Sequence, residues 1–434
     1  MVVIAEKLQS LLSAEQVIQG DDLDQSWQHR LRAAGLDASS GCVIFPQSEA
    51  ELSAVVKVCA QNHWRMLSCG KGSKLGWGKP AKHIDVVVST ARLNRIINHW
   101  VEDFTVRVEA GVGFADLQQQ LVQHRQFLAL DPLYAPAATL GGIVATADTG
   151  SLRQRYGSVR DMLIGVQFVR HDGEIVKAGG RVVKNVAGYD LMKLMTGAYG
   201  TLGILTQLTL RLFPQPEYSQ TVAVTGSADA IRKVALEARL SGLTPVALDI
   251  LAGISPPSPF PLPLSPCILI AQFQGISAGA QEQIDRLRTL AKTAGAQIQT
   301  VEETLWPAIS NAFVTHSDSS VLCKVGMLPT HGIDFLQSAE AILPAGWLAR
   351  LHNANGVGLL RFEASEETAD LIGKLRADCE THQGYLTLLQ APSDVKQQID
   401  IWGYSGNALG LMQKLKANFD PQNLFNPGRF VGDI

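Results

Sequence analysis

The stretch GGRVVKNVAGYDLMKLMTGAYGTLG, residues 179–203, decides how this chain is read. Glycines recur through it among basic and aromatic residues, too irregularly for a simple core helix. Lacking Cβ, glycine tolerates close backbone approach and unusual dihedrals, so the run suits wrapping a ligand better than filling a core. Two further glycine-rich segments lie upstream. CGKGSKLGWG, residues 69–78, suits a tight anion-binding loop, its amides turned inward, Ser73 adding a donor and Lys71 or Lys74 offsetting pyrophosphate charge. It is neither a Walker A sequence nor a GxGxxG helix entrance, and an ordinary turn is the alternative.

The second segment, DPLYAPAATLGGIVATADTGSLRQRYGSVRDMLIG, spans residues 131–165. Gly141 and Gly142 can expose peptide donors, Thr139 and Thr146 supply hydroxyls, and Gly150, Tyr156 and Gly157 permit another close turn. Alone it reads equally as a junction between core segments. Together the segments point to a long cofactor spanning several loops.

The flanking sequence supplies an α/β frame. A strand over Val43 to Phe45 precedes Pro46 and a helix from about Ser48. Ser48 and Glu51 form a candidate capping box, and Leu52, Val55, Val56 and Val58 provide the apolar face. Val106 and Val108 predict a strand, Gly111 to Gly113 a turn, and Leu117 with Leu121 the buried face of a helix. Asp172-Gly173 signals a hairpin. Pro214 and Pro216 mark an exit from this domain, after which strand-like and helical segments alternate. AGISPPSPFPLPLSP, residues 252–266, carries prolines at 256, 257, 259, 261, 263 and 266. It reads as an exposed insertion, with a docking segment as the alternative. No internal repeat is apparent.

The chain has 434 residues, 46% hydrophobic and 18% charged, and a formal charge of -3. That balance fits a folded globular chain of two or three domains and gives no general attraction to nucleic acid or acidic lipid. No stretch reads as a secretion signal or a membrane span, so a cytoplasmic location is expected, with at most peripheral membrane association through partners. The six cysteines are widely separated and form no CxxC pair. No metal or iron–sulfur site is therefore expected within the chain.

On these motifs the chain resembles the flavin-binding domains of the vanillyl-alcohol oxidase or p-cresol methylhydroxylase (PCMH) type, most closely those of the small flavin-binding subunits of bacterial glycolate oxidase. The resemblance covers Cys42 to Pro216 and resumes at the carboxyl end. It implies an α+β fold: a two-part PCMH-type FAD-binding domain at 39–217, preceded by an extension at 1–38 that packs on it. An α+β cap or substrate domain follows at 218–408, and 409–434 returns to the FAD domain. FAD is implied along Gly70, Lys71, Gly72, Ser73 and Lys74, and along Pro136, Thr139, Leu140, Gly141, Gly142, Ala145, Thr146, Gly150, Tyr156 and Gly157. Lys184, Gly203, Ile204, Asn426 and Arg429 complete the implied set, with Lys416 a further candidate; pinning the carboxyl tail is the alternative role for Lys416, Asn426 and Arg429. Some relatives attach flavin through a histidine in the early loop. Residues 69–78 contain none, so noncovalent FAD is expected.

WLARLHNANGVGLLRF, residues 347–362, resembles a reduced form of the histidine motif of larger 2-hydroxy-acid oxidising relatives. His352 keeps the first histidine, Asn355 takes the acidic position and Leu359 replaces the second histidine. His352 and Arg350 are the candidate catalytic pair, a base and a carboxylate grip, with Lys324 and Arg361 able to join them. Structural hydrogen bonding is the competing role for His352. The resemblance implies a FAD-binding subunit of a glycolate oxidase or dehydrogenase, converting glycolate to glyoxylate. The subunit would support or pass electrons rather than act alone, beside a larger homologous FAD-binding subunit and an iron–sulfur electron-transfer subunit. A stand-alone dehydrogenase of another small 2-hydroxy acid, such as lactate, and a non-catalytic assembly scaffold are the alternatives.

Overall fold

The computed structural model describes residues 2–37, 42–181, 188–254, 260, 262, 265–314, 317 and 319–434. Lys184 and five of the six loop prolines fall outside the described residues, Pro266 being the exception. Contacts divide the chain into two units. The first comprises residues 1–149, 158–215 and 405–434, and the second 150–157 and 216–404.

Among the described residues the first unit holds two larger sheets and a two-stranded pair, Gln126–Phe127 with Phe213–Pro214. One has the strand order Val17–Gln19, Cys42–Ile44, Val86–Ser89, Met66–Cys69. Its first pair is antiparallel and the others parallel. The helix Glu49–Gln61 supplies the first crossover, as the apolar spacing requires, and buries Leu52, Val55, Val56 and Cys59. Ser48 caps it by accepting from the Glu51 amide at 3.2 Å. The reciprocal half of the expected capping box is replaced. The Glu51 carboxylate instead accepts from the Gln47 amide and from Gln16 Nε2. The amino-terminal helix contributes Ala5 and Leu8 to the core beneath this sheet, and Leu424 and Phe425 reach the same cluster.

The second sheet is antiparallel, ordered Ile96–Trp100, Thr105–Glu109, Ile204–Arg211, Leu163–Val169, Ile175–Gly179. Its last two strands form the hairpin signalled at Asp172-Gly173, where Gly173 has φ +79°. The helix Phe114–Val122 buries Leu117 and Leu121 as its periodicity predicts.

The second unit contains one eight-stranded sheet. Its order is Gln297–Val301, Tyr218–Gly226, Cys267–Gly275, Ala247–Ala252, Leu348–His352, Val357–Glu363, Ser320–Gly326, Tyr385–Gln390. Every pairing is antiparallel. In chain order the sheet-forming part reads strand, helix, strand, strand, helix, strand, and repeats that sequence after an intervening helix, Leu305–Ala312. The repeat that was not apparent in the sequence is thus present in topology: two split βαβ motifs of ferredoxin-like plan. Their second strands, Ala247–Ala252 and Leu348–His352, pair to join the halves into one sheet. Such motifs require only alternating apolar positions and turns, so two copies can keep a plan without keeping identical residues. The join puts Asp249 directly opposite His352.

Candidate functional site

In the first unit the strand Met66–Cys69 opens into the first glycine loop. Gly72 and Gly78 there have φ +79° and +85°, dihedrals that explain two of its glycines. Ser89 Oγ donates to the Gly70 carbonyl at 2.8 Å and Thr90 Oγ1 to that of Cys69 at 3.2 Å, fixing the loop's entry. The second segment forms a short helix, Leu140–Thr146, capped by Thr139 Oγ1, which accepts from the Gly142 amide at 3.2 Å. The Gly141 amide donates to the Ala110 carbonyl at 2.7 Å. A Cβ on Gly141 would lie 2.8 Å from Ala110 Cβ, and one on Gly70 would collide with the Thr139 side chain. These two glycines are required by close approach.

The loops enclose a cleft of about 860 Å³ of empty space, part of it open to solvent. Its wall brings together Gly70, Lys71, Gly72, Ser73 and Lys74 with Thr139, Gly141, Gly142, Ala145 and Thr146. Gly203, Ile204, Asn426 and Arg429 lie on the same wall. Pro136 is exposed and Leu140 buried, and neither lines the cleft. Gly150, Tyr156 and Gly157 pack with the second unit, where Tyr156 Oη donates to Gln274 Oε1 at 3.2 Å. The wall also includes Ser68, Cys69, Trp77, Met195, Ala198 and Tyr199, which sequence reasoning had not singled out. Tyr199 lay within the opening stretch, but nothing in its spacing distinguished it from a surface tyrosine.

The carboxyl-terminal arm is built into this wall. Asn426 Oδ1 accepts from the Ser68 amide at 2.8 Å, and its Nδ2 donates to the Tyr199 carbonyl. The buried Arg429 guanidinium donates to the carbonyls of Leu75, at 2.7 Å, and Trp77. Its main-chain carbonyl accepts from the Lys79 amide. Arg429 therefore clasps the glycine loop from both ends of its own residue. Burial pushes its pKa down to about 10, opposed by Tyr199 and Cys69. Burial likewise pushes the Cys69 thiol up to about 12 and raises the Tyr199 phenol, with Asp148 adding to the latter.

Lys416 sits behind the wall. Its Nζ donates to Asp420 Oδ2 at 2.6 Å, the Phe425 carbonyl at 2.8 Å and the Thr201 carbonyl at 2.9 Å. It pins the carboxyl-terminal arm rather than facing the cleft. Lys416→Met should leave the buried Asp420 charge without its cation, at a cost of about 3 kcal/mol. A lowered urea midpoint would report that loss, and an unchanged midpoint would remove the pinning role.

Cross-strand register in the second unit puts Lys324, Leu359, Arg350 and Leu251 in one row on one sheet face. Arg361 occupies the adjoining row, opposite Leu348 and Leu322. The candidate cations therefore share a face but do not converge on one point. Arg350 is 2% exposed, stacks 5.6 Å from the Phe313 ring and reaches Ser310 Oγ at 3.5 Å. Arg361 donates to the Ala312 carbonyl. His352 Nδ1 lies 2.8 Å from Asp249 Oδ1, while Ser151 Oγ donates to Asp249 Oδ2. Burial opposes the Asp249 charge, but His352, Arg350 and Ser151 outweigh it and hold this carboxyl below the usual range. The cleft described in this unit is lined by Gly253, Cys267, Leu336, Glu340 and Trp347 among others, and neither His352 nor Arg350 is on its wall.

With this geometry defined, comparison with known proteins becomes informative. The FAD binding domain family matches residues 40–179, the span that contains both glycine segments of the cleft. Residues 40–179 thus carry a FAD-binding domain, and the chain has the fold of the PCMH-type flavoproteins. It is 26% identical over 428 residues to the mitochondrial D-lactate dehydrogenase [cytochrome] of Arabidopsis thaliana, covering 90% of this chain and 73% of that one. It is 24% identical over 420 residues to the glycolate oxidase subunit GlcD of Bacillus subtilis, covering 89% and 88%. In fold it is similar to p-cresol methylhydroxylase with substrate bound, at a TM-score of 0.76 and 15% identity over 99% of this chain and 96% of that one. The PCMH-type α+β fold implied by the sequence is therefore the observed one.

The cleft fits the cofactor of this family. Gly70 and Gly141 let their segments pack tightly against Thr139 and Ala110, which brings the two glycine segments onto one wall. Lys74 Nζ is buried on the wall, ion-paired with Asp148 at 2.7 Å but without an aligned hydrogen bond, so its N–H groups can also serve a polar ligand. Among the described residues no helix is long and apolar enough to cross a membrane.

Proposed function

We propose that this chain is the FAD-binding subunit of a complex that oxidises glycolate, or a closely similar 2-hydroxy acid, to the 2-oxo acid. In this reading it supports the reaction or passes electrons, beside a larger homologous FAD-binding subunit and an iron–sulfur subunit. FAD is held noncovalently, consistent with a wall whose known lining includes no histidine. The complex is cytoplasmic, reaching a membrane only through its partners. The support is a contrast between the units. The glycine cleft keeps its close-approach glycines, whereas the motif around His352 has Leu359 where a second imidazole is expected.

When bound, FAD supplies an isoalloxazine able to accept the two electrons of alcohol oxidation. The chain's residues provide the grip: peptide groups around Gly70 and Gly72, with Lys71 and Lys74 as cations, while the Gly141 and Gly142 amides are held by the Ala110 carbonyl and Thr139 Oγ1. Arg429 and Asn426 hold the loops that carry those peptides.

A second reading, a stand-alone D-lactate-type dehydrogenase, draws on the relatives' names and on the His352–Asp249 pair. In this reading Asp249 accepts from His352 Nδ1 and orients the ring, leaving Nε2 as the nitrogen that would take a substrate hydroxyl proton. The purified chain, loaded with FAD and kept anaerobic, separates the readings. A flavin spectrum unchanged by glycolate and by D-lactate is expected of the supporting subunit. Bleaching by either acid would overturn that role and establish intrinsic oxidation.

A further inference from the structure

A buried ion pair reaches the wall of the glycine cleft through one member, Lys74, and the cofactor's chemistry leaves it unexplained. Lys74, in the first glycine loop, lies 2.7 Å from Asp148, two residues beyond the helix Leu140–Thr146. Their side chains are 6% and 7% exposed. The contact is a charge pair without hydrogen-bond alignment, for neither Lys74 Nζ nor Asp148 Oδ2 has a hydrogen-bond partner. Lys74 Nζ also sits 5.5 Å from the Trp77 ring centroid. The pair ties the first glycine segment to the second. Ala147, between helix and aspartate, adopts φ +49°, turning the chain before Asp148.

An aspartate here works against the evident purpose of the site. A cleft built to receive a pyrophosphate gains from every buried cation, and a carboxylate beside that cation subtracts from the gain. Burying the ion pair also carries a desolvation cost. The competing explanation is a structural tie, for which the charge of Lys74 toward ligand would be immaterial.

We propose that Asp148 sets the cleft's affinity for FAD by competing with the cofactor's pyrophosphate for Lys74. This rests on the FAD-binding reading of the cleft. Lys74 is then a switchable cation, held by Asp148 and drawn in part toward phosphate oxygens when the cofactor binds. The pair limits retention of FAD without altering the peptide cradle that recognises it. Asp148 acts through Lys74 and is a positioning residue.

The test is equilibrium binding of FAD, ADP and riboflavin to the full chain at low and high salt. ADP carries the pyrophosphate without the flavin, and riboflavin the flavin without phosphate. Asp148→Asn preserves the side chain's shape and frees Lys74, so FAD and ADP should bind about tenfold tighter at low salt. The gain should shrink at high salt, and riboflavin affinity should not move. Lys74→Met should weaken FAD and ADP by a similar factor, again sparing riboflavin. In Lys74→Met/Asp148→Asn the aspartate effect should vanish.

Unchanged or weaker FAD binding in Asp148→Asn overturns the proposal, as does a parallel change in riboflavin, which marks a structural tie. If Asp148→Asn does not fold, Lys74→Met decides alone: equal loss for FAD and riboflavin overturns the proposal, and loss confined to FAD and ADP sustains it. A wild-type chain that binds neither FAD nor ADP overturns the reading of the cleft itself, a result distinct from any of these.

Discussion

Gly141→Val is expected to abolish retention of FAD while leaving the fold intact. Gly141 lines the cleft, its amide is committed to the Ala110 carbonyl, and a Cβ there would lie 2.8 Å from Ala110 Cβ and 2.9 Å from the Ala110 oxygen. One of those neighbours is backbone, so relief must come from moving the helix Leu140–Thr146 off the strand end that supports it. Forcing a branched side chain into such a contact costs about 1–3 kcal/mol. The same displacement moves Thr139 and Gly142, both on the cleft wall, so FAD affinity should fall by about a hundredfold or more. That corresponds to about 2.7 kcal/mol of lost binding. The measurement is the flavin-to-protein ratio after purification and FAD titration, with circular dichroism to verify folding. Gly180→Ala is the control, because nothing lies within 4 Å of a Cβ at Gly180. A folded Gly141→Val chain that retains stoichiometric flavin would remove the second glycine segment from the site.

The glycine requirement was legible because it is local. A residue that must adopt φ +79°, as at Gly72 and Gly173, or tolerate a carbonyl against its Cα, as at Gly141, leaves its mark at one position. The apolar periodicities of Glu49–Gln61 and Phe114–Val122 were readable for the same reason. What escaped depends on pairs far apart in the chain. His352 meets Asp249 across 103 residues, and Arg429 meets Leu75 across 354. Neither partner carries a local sign of the other. Arg429 was expected to touch cofactor and lies on the cleft wall, yet its guanidinium is engaged by loop carbonyls, so much of its influence passes through the loop. Asp148 was hidden within a quoted motif, where its carboxylate gave no hint that it would find Lys74 rather than solvent. The segment 150–157 continues the second glycine motif in sequence but packs with the second unit, because Ser151 and Gln154 bond to Asp249 and Pro245.

Asp249→Ala should destabilise the second unit by about 3–5 kcal/mol, the range for removing one member of a buried charged pair. Asp249 is fully buried at the strand pair that joins the two repeats, and its carboxylate serves His352 Nδ1 on one oxygen and the Ser151 hydroxyl on the other. Alanine strands both partners in the interior. Asp249→Asn should cost less, since an amide oxygen can still accept from Nδ1 while its nitrogen donates to Ser151 Oγ. The gap between the two variants measures charge against hydrogen bonding. The pH dependence has a definite sign. The folded-state pKa of Asp249 is lowered, so its contribution is complete above the ordinary carboxylate value of about 3.9 and is lost as pH falls through the lowered folded value. The stability difference between wild type and Asp249→Ala should therefore be flat with respect to this carboxyl above about pH 5 and shrink in the acid range below about pH 4. Urea unfolding across that range provides the check. Equal midpoints for wild type and Asp249→Ala at neutral pH would mean that the pair does not hold the repeats together, and would leave His352 without the fixed tautomer on which any role as a base depends.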